Sequence, residues 1–258
     1  TSSGSAGDRP GGRSRTPTII ASVDRALAVL ELFVAHGGEL SVTQISRELG
    51  LTFSTAHHLV STLAARGYLE QNPVNRHYRL GVHALTLGLA ARDSAALVSI
   101  AQPIIEGLAA EVNEHVNLAL VDGTDTIYVS QVLSSRAIAM FMRLGTRVPM
   151  YCTGVGKAVL AFLGEDRAEA TAAAGGYRPF TAATARSWQQ LRQDLHQIQA
   201  LGYAVDREER EEGVVCVAAP VFDHTGRPCG AVSVSGPSTR ISPRLEQLGA
   251  ATKSAAAR

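Results

Sequence analysis

LSVTQISRELGLTFSTAHHLVSTLAARGYLEQNPVNRHYRL, residues 40–80, is the stretch that decides the fold. Ser41 stands before an apolar spacing of Val42, Ile45 and Leu49, the pattern of a short helix with a side-chain cap. Gly50 stops that helix. Thr52 caps a longer one whose inward positions are Ala56, Leu59 and Leu63, with Val60 beside them, and Gly67 ends it. Two short strands, 68–71 and 77–80, flank the turn-rich tip Asn72-Pro73-Val74-Asn75. Upstream, Val23, Leu27, Leu30 and Val34 recur at helical spacing, one apolar stripe that Ser22 caps and Gly37-Gly38 closes. Helix, helix, glycine turn, helix, hairpin is the order of a winged helix-turn-helix.

In such a unit the short turn fixes the angle at which the last helix enters the major groove. Its outward side must carry side chains that reach base edges and phosphates. With the inward positions removed, Ser54, Thr55, His57, His58 and Ser61 face outward. Ser54 and Thr55 open the helix, where its dipole also favours phosphate. Thr43 and Gln44 on the preceding helix suit backbone contact, and Arg76 at the wing tip suits the minor groove or a phosphate. His57 and His58 do not make a metal pair, because neighbouring helical positions diverge by about 100°. Residues 18–80 hold five Lys/Arg and five Asp/Glu, which limits the non-specific affinity to expect.

The remaining chain changes character. Val82, Leu85 and Leu89 mark a linker helix, and Ile104, Leu108 and Val112 another helix. Strands are expected at 116–121 and 127–132 around Asp122-Gly123, and at Ile138–Met142. Leu191, Leu195, Ile198 and Leu201 define an amphipathic helix that Gly202 ends, and apolar strands at 214–222 and 229–235 flank Asp223-His224-Thr225-Gly226. This mixture indicates an α+β architecture. The organisation expected is a disordered tail (1–18), the winged helix-turn-helix (19–80), the linker helix (81–97) and an α/β effector-binding domain (98–254).

The 258 residues carry a net charge of +1 and 45% hydrophobic residues, ample for packed cores. No apolar run has membrane-span length and the N-terminus has no signal-type stretch, so a cytoplasmic protein is expected. Cys152, Cys216 and Cys229 form neither a CxxC pair nor a nucleophile motif, and no enzyme, metal site or cofactor is expected. In Thr153-Gly154-Val155-Gly156-Lys157 two glycines permit close backbone approach to a ligand. The helix starting near Gly156 would offer N–H groups to a carboxylate. A phosphate-binding Walker loop is excluded, since Tyr151 and Ala158 occupy positions that need Gly and Ser/Thr. Ser233 and Ser235 share one face of their strand, and Cys216 lies in the other strand of the same hairpin. The run Asp206–Glu212 reads as a solvated loop or a subunit-interface rim.

SVDRALAVLELF (22–33), residues 40–71 and HYRLGVHALTLG (77–88) resemble the DNA-binding half of the IclR family of bacterial regulators. RLGTRVPMYCTGVGKAVLAFL (143–163) and GYAVDREEREEGVVCVAAPVFDHTGRPCGAVSVSGP (202–237) resemble its effector-binding half, so the likeness covers roughly residues 20–250. The resemblance implies a GAF-like effector domain, homodimers or dimers of dimers, and operator binding, as by a repressor, switched by a small organic acid. Members that sense small oxoacids such as glyoxylate are similar at Gly154, Val155, Asp206, Cys216, Ser233 and Ser235. Met140 and Val214 would add an apolar wall. The family often has Arg where this chain has His58, a shorter side chain that is mostly neutral at pH 7.

Overall fold

The computed structural model describes residues 19–94, 96–135 and 143–258. The tail (1–18), the strand expected at 138–142 and the candidate wall residue Met140 lie outside the described residues. The chain divides into two compact units, one ending at Thr86 and the other beginning at Leu87.

In the first unit α1 (Ala21–His36) ends where Gly37 turns left-handed at φ 64° and returns its N–H to the Phe33 carbonyl. Helix α2 (Val42–Glu48) starts with a full capping box, in which Ser41 Oγ accepts from the Gln44 N–H and Gln44 Oε1 accepts from the Ser41 N–H. Helix α3 (Phe53–Ala65) is capped by Thr52. Strands β1 (Leu69–Gln71) and β2 (Tyr78–Leu80) pair antiparallel as the wing. Val29, Phe33, Leu40, Ile45, Ala56, Val60, Leu63, Leu69 and Tyr78 form the core.

Helix α1 corrects the sequence reading twice. It begins before Ser22, at an N-cap (Ile20) that makes no side-chain bond. The stripe chosen from spacing is largely outward: Val23, Leu27 and Val34 are 52%, 54% and 42% exposed, while Val29 and Phe33 are buried. The helix is apolar on more than one face, so periodicity admits two stripes. The one carrying Phe33 wins, because an aromatic side chain buries more area than a valine, and full burial of such a residue stabilises by roughly 1.5–3 kcal/mol.

Helix α4 (Val82–Ser94) follows the wing. The second unit opens its core on α5 (Ala96–Val112), whose Val98 is already buried there, so the end of the segment read as linker belongs to this helix. Strands β3 (His115–Asp122), β4 (Asp125–Val132) and β5 (Arg147–Pro149) precede α6 (Gly154–Leu160), α7 (Glu165–Ala174) and α8 (Trp188–Leu201). Then come β6 (Ala204–Arg207), β7 (Val214–Phe222) and β8 (Pro228–Pro237), followed by α9 (Ser238–Ile241) and α10 (Leu245–Ala256). The six strands form one antiparallel sheet in the order β5-β4-β3-β8-β7-β6.

Alternation along each strand sorts this sheet into two faces. Val116, Leu118, Val215, Val217, Val232 and Val234 pack with α5 and α10. Ala119, Ala204, Ala218 and Ala231 point the other way and pack with α6, α7 and α8. The second face is lined by small residues, and the polar positions cluster on it. Among the described residues no single helix is long and apolar enough to cross a membrane.

Candidate functional sites

The first site is the outer flank of α3. Ser54, His57 and His58 are exposed and Ser61 is half-buried. Thr55 is partly spoken for: its N–H donates to Thr52 Oγ1 at 3.2 Å, and the two hydroxyls lie 2.9 Å apart. Gln44 is similarly committed, since its carbonyl oxygen accepts from both the backbone and the hydroxyl of Ser41. Only its amide nitrogen remains to donate outward. Thr43 is exposed on α2. Arg76 is exposed at the wing, in the left-handed region at φ 61°. That loop is pinned by Glu39, whose carboxylate accepts from Asn72 Nδ2 at 2.9 Å and Asn75 Nδ2 at 2.8 Å. Those bonds, Asn75's first, hold the Glu39 carboxyl below its usual range. Phe53, the first residue of α3, is 56% exposed, and the sequence reading passed over it because apolar residues were assigned inward.

The second site is a polar row across the small-residue face of the sheet. Registered neighbours in an antiparallel sheet share a face, so the pairings build it strand by strand. Gln131 on β4 pairs with Asn117 on β3, and Asn117 with Ser233 on β8. Ser235 pairs with Cys216 on β7, and Cys216 with Asp206 on β6. Asn117 holds the centre, donating from Nδ2 to Ser235 Oγ at 3.1 Å and Ser233 Oγ at 3.5 Å, and accepting from Gln131 Nε2 at 2.9 Å. Asn117 was not singled out from the sequence. Its signal there is only that it is a polar residue in an otherwise apolar strand.

Helix α6 faces this row. It begins at Gly154, not near Gly156, and Thr153 caps it by accepting from the Gly156 N–H. The glycines serve chain packing. A Cβ on Gly154 would stand 3.1 Å from Cys216 Sγ, and one on Gly156 would stand 2.2 Å from the Met150 Cα. Val155 is fully buried, and Val214 shares the alternating face of β7 with Cys216.

Electrostatics separate the buried groups. Burial, then repulsion from Glu209, pushes Asp206 up to about 7, against the Glu209 N–H that donates to its Oδ1 at 2.8 Å. Burial pushes the Cys152 and Cys216 thiols up to about 12, so neither is a thiolate at neutral pH. Lys157 is buried. Burial would lower its pKa, but Glu209 at 2.5 Å and Asp194 at 3.2 Å more than offset this and raise it. The segment Asp206–Glu212, read as solvated, is therefore mixed: Asp206 and Glu209 are buried, while Glu211 and Glu212 are exposed. The reason is Lys157, a buried cation that needs an anion beside it.

A winged helix-turn-helix followed by a sheet domain with one small-residue, polar-lined face defines the class of ligand-responsive DNA-binding regulators. Residues 22–73 match the IclR helix-turn-helix domain, and residues 89–258 match the domain described as bacterial transcriptional regulator IclR C-terminal. This chain belongs to the IclR family of bacterial transcriptional regulators, and it is a regulator rather than an enzyme. It is 37% identical to the HTH-type transcriptional regulator XynR of Escherichia coli K12 over 223 residues, which span 86% of this chain and 88% of XynR. It is 33% identical to the transcriptional repressor IclR of the same organism over 252 residues, 93% of this chain and 92% of the relative. In fold it is similar to an IclR homolog of Microbacterium hydrocarbonoxydans solved in complex with 4-hydroxybenzoate, with a TM-score of 0.79 at 23% identity over 92% of this chain and 96% of that one.

Proposed function

We propose that this protein is a homodimeric or tetrameric repressor, acting in the cytoplasm, whose grip on operator DNA is switched by a small organic acid. Residues 19–80 are the DNA-binding unit, 81–97 join it to the sensor, and 98–254 are the sensor. Thr43, Gln44, Ser54, Thr55, His57, His58, Ser61 and Arg76 make up the operator-facing set, with Ser54, His57 and His58 the most exposed. The effector set is Gly154, Val155, Asp206, Val214, Cys216, Ser233 and Ser235, with Met140 as a wall.

The observation that carries the effector reading is the row Asn117, Ser233, Ser235, Cys216, Asp206, set opposite the first turn of α6. With the Gly156 N–H taken by Thr153, the Gly154 and Val155 N–H groups are the ones left without an intrahelical acceptor, and a carboxylate there would meet them and the hydroxyls together. An Asp raised to about 7 is half protonated at neutral pH and can donate a hydrogen bond to an anion. The alanine floor and neutral thiols favour a compact acid of the glyoxylate type. Homodimerisation is supported by a run of outward apolar residues, Ile19 and Ile20 just before α1 and Val23, Leu27 and Val34 on it.

Titration calorimetry of the purified protein tests the effector reading, with glyoxylate, other short oxoacids and 4-hydroxybenzoate as ligands. Saturable binding of a short acid, weakened about tenfold in Ser235→Ala while operator binding is kept, is the expected result. Binding of 4-hydroxybenzoate alone would move the assignment to a larger aromatic acid. Heat flow unaffected by Ser235→Ala would remove the polar row from the effector site.

A further inference from the structure

The recognition helix carries an aromatic ring on its DNA-facing side that the described residues of its unit leave more than half exposed. Phe53 opens α3, is 56% exposed, and lies along the same helical line as His57 and Ser61. Its ring is held rather than loose: it stacks on the His57 imidazole, centroid to centroid 6.2 Å, with the planes 26° apart. His57 in turn meets His58 edge-on at 6.2 Å. Two residues on, the Thr55 hydroxyl is tied back to Thr52, 2.9 Å away.

We infer that Phe53 reads the C5-methyl group of a thymine in each operator half-site, with His57 as its backing. This rests on the operator-binding reading above and adds to it a residue and a base. The first turn of a recognition helix is the part that meets base edges. A phenyl ring has no donor or acceptor, and the one apolar group in the major groove is the thymine methyl. Residues 18–80 have five cations against five anions, so non-specific attraction to phosphate is weak and contacts of this kind carry more of the discrimination. Covering the half-exposed ring in the complex would remove apolar surface from water and so favour binding.

The test starts by selecting bound duplexes from a random library with the full-length protein, then replacing each thymine of the selected site by deoxyuridine, which deletes only the methyl group. Wild type should lose about fourfold in affinity at one thymine per half-site, the worth of one buried methyl-sized group. Phe53→Ala should bind thymine and uracil duplexes equally there, and Phe53→Leu should restore part of the difference. Circular dichroism should be unchanged, since the ring is not in the core. Wild-type indifference to uracil at every position would overturn the assignment, and so would a thymine preference that survives in Phe53→Ala. Loss of self-association in Phe53→Ala with the preference intact would overturn it as well, by giving the ring to a second copy. Failure of the wild type to enrich any sequence is a separate result: it would remove the operator-binding reading together with this one.

Discussion

Asp206 is the residue whose chemistry departs most from its type. The residue is 6% exposed, pairs with Cys216 across the strands, accepts from the Glu209 N–H at 2.8 Å and is repelled by the Glu209 carboxylate. Its folded pKa of about 7 stands above the unfolded value of 3.8. The sign follows from linkage: the folded state holds a proton that the unfolded chain has released, so Asp206's contribution favours folding below pH 4 and is lost as pH rises to about 7. Asp206→Asn should flatten that slope, and should make the protein more stable than wild type at pH 8 by a few kcal/mol. Urea denaturation between pH 5 and 8 measures it. Equal slopes in both proteins would contradict the burial argument. An acid ligand that accepts the Asp206 proton should bind more weakly above pH 7, and less so in the variant.

Helix α6 shows how much of the candidate site is set by close packing between elements. Gly154 and Gly156 look equivalent in the sequence and were both read as room for a ligand. Their neighbours differ: a side chain at Gly156 would enter the Met150 backbone at 2.2 Å, whereas the nearest atoms to one at Gly154 are side-chain atoms, Cys216 Sγ at 3.1 Å and Cys216 Cβ and Ala218 Cβ at 3.5 Å. Gly156→Ala should therefore cost several kcal/mol and lower Tm sharply, beyond the roughly 1–3 kcal/mol of ordinary overpacking, because backbone cannot rotate away. Gly154→Ala should cost less and should blunt the acid response. Thermal unfolding of the two variants side by side checks this, and equal losses would remove the distinction.

Local signals explain what was legible at this scale. Ser41 with Gln44 and Thr52 with Thr55 are caps closed within three residues, so spacing alone exposes them. Strand alternation likewise placed Ser233 and Ser235 on one face. The pair Lys157–Glu209 is 52 positions apart, and Asn117 meets Ser235 across 118 positions. No periodicity reports such contacts. The α1 stripe failed for another reason: the helix is apolar on more than one face, and among the described residues only the face carrying Val29 and Phe33 is buried.

At the scale of the whole molecule, the outward face of α1 bears on the proposed dimer. Val23 and Leu27 lie one turn apart and half exposed, away from the core made by Val29 and Phe33. Leu27→Asp should leave secondary structure and unit stability within about 0.5 kcal/mol of wild type, as outward substitutions do. It should also halve the mass seen by sedimentation equilibrium and weaken binding to an inverted repeat at least a hundredfold, because each half-site then binds alone. An unchanged mass would place the copy-to-copy contact elsewhere.

Coupling of an operator to a small acid through one chain, as proposed, must be reciprocal. Selection of bound fragments from the source genome at near-physiological salt, repeated with glyoxylate and related acids present, tests it most directly. A few fragments sharing an inverted repeat are expected, with recovery that changes when a short acid is added and stays fixed in Ser235→Ala. Random recovery that fades as salt rises, or a specific site that no acid alters, would contradict it.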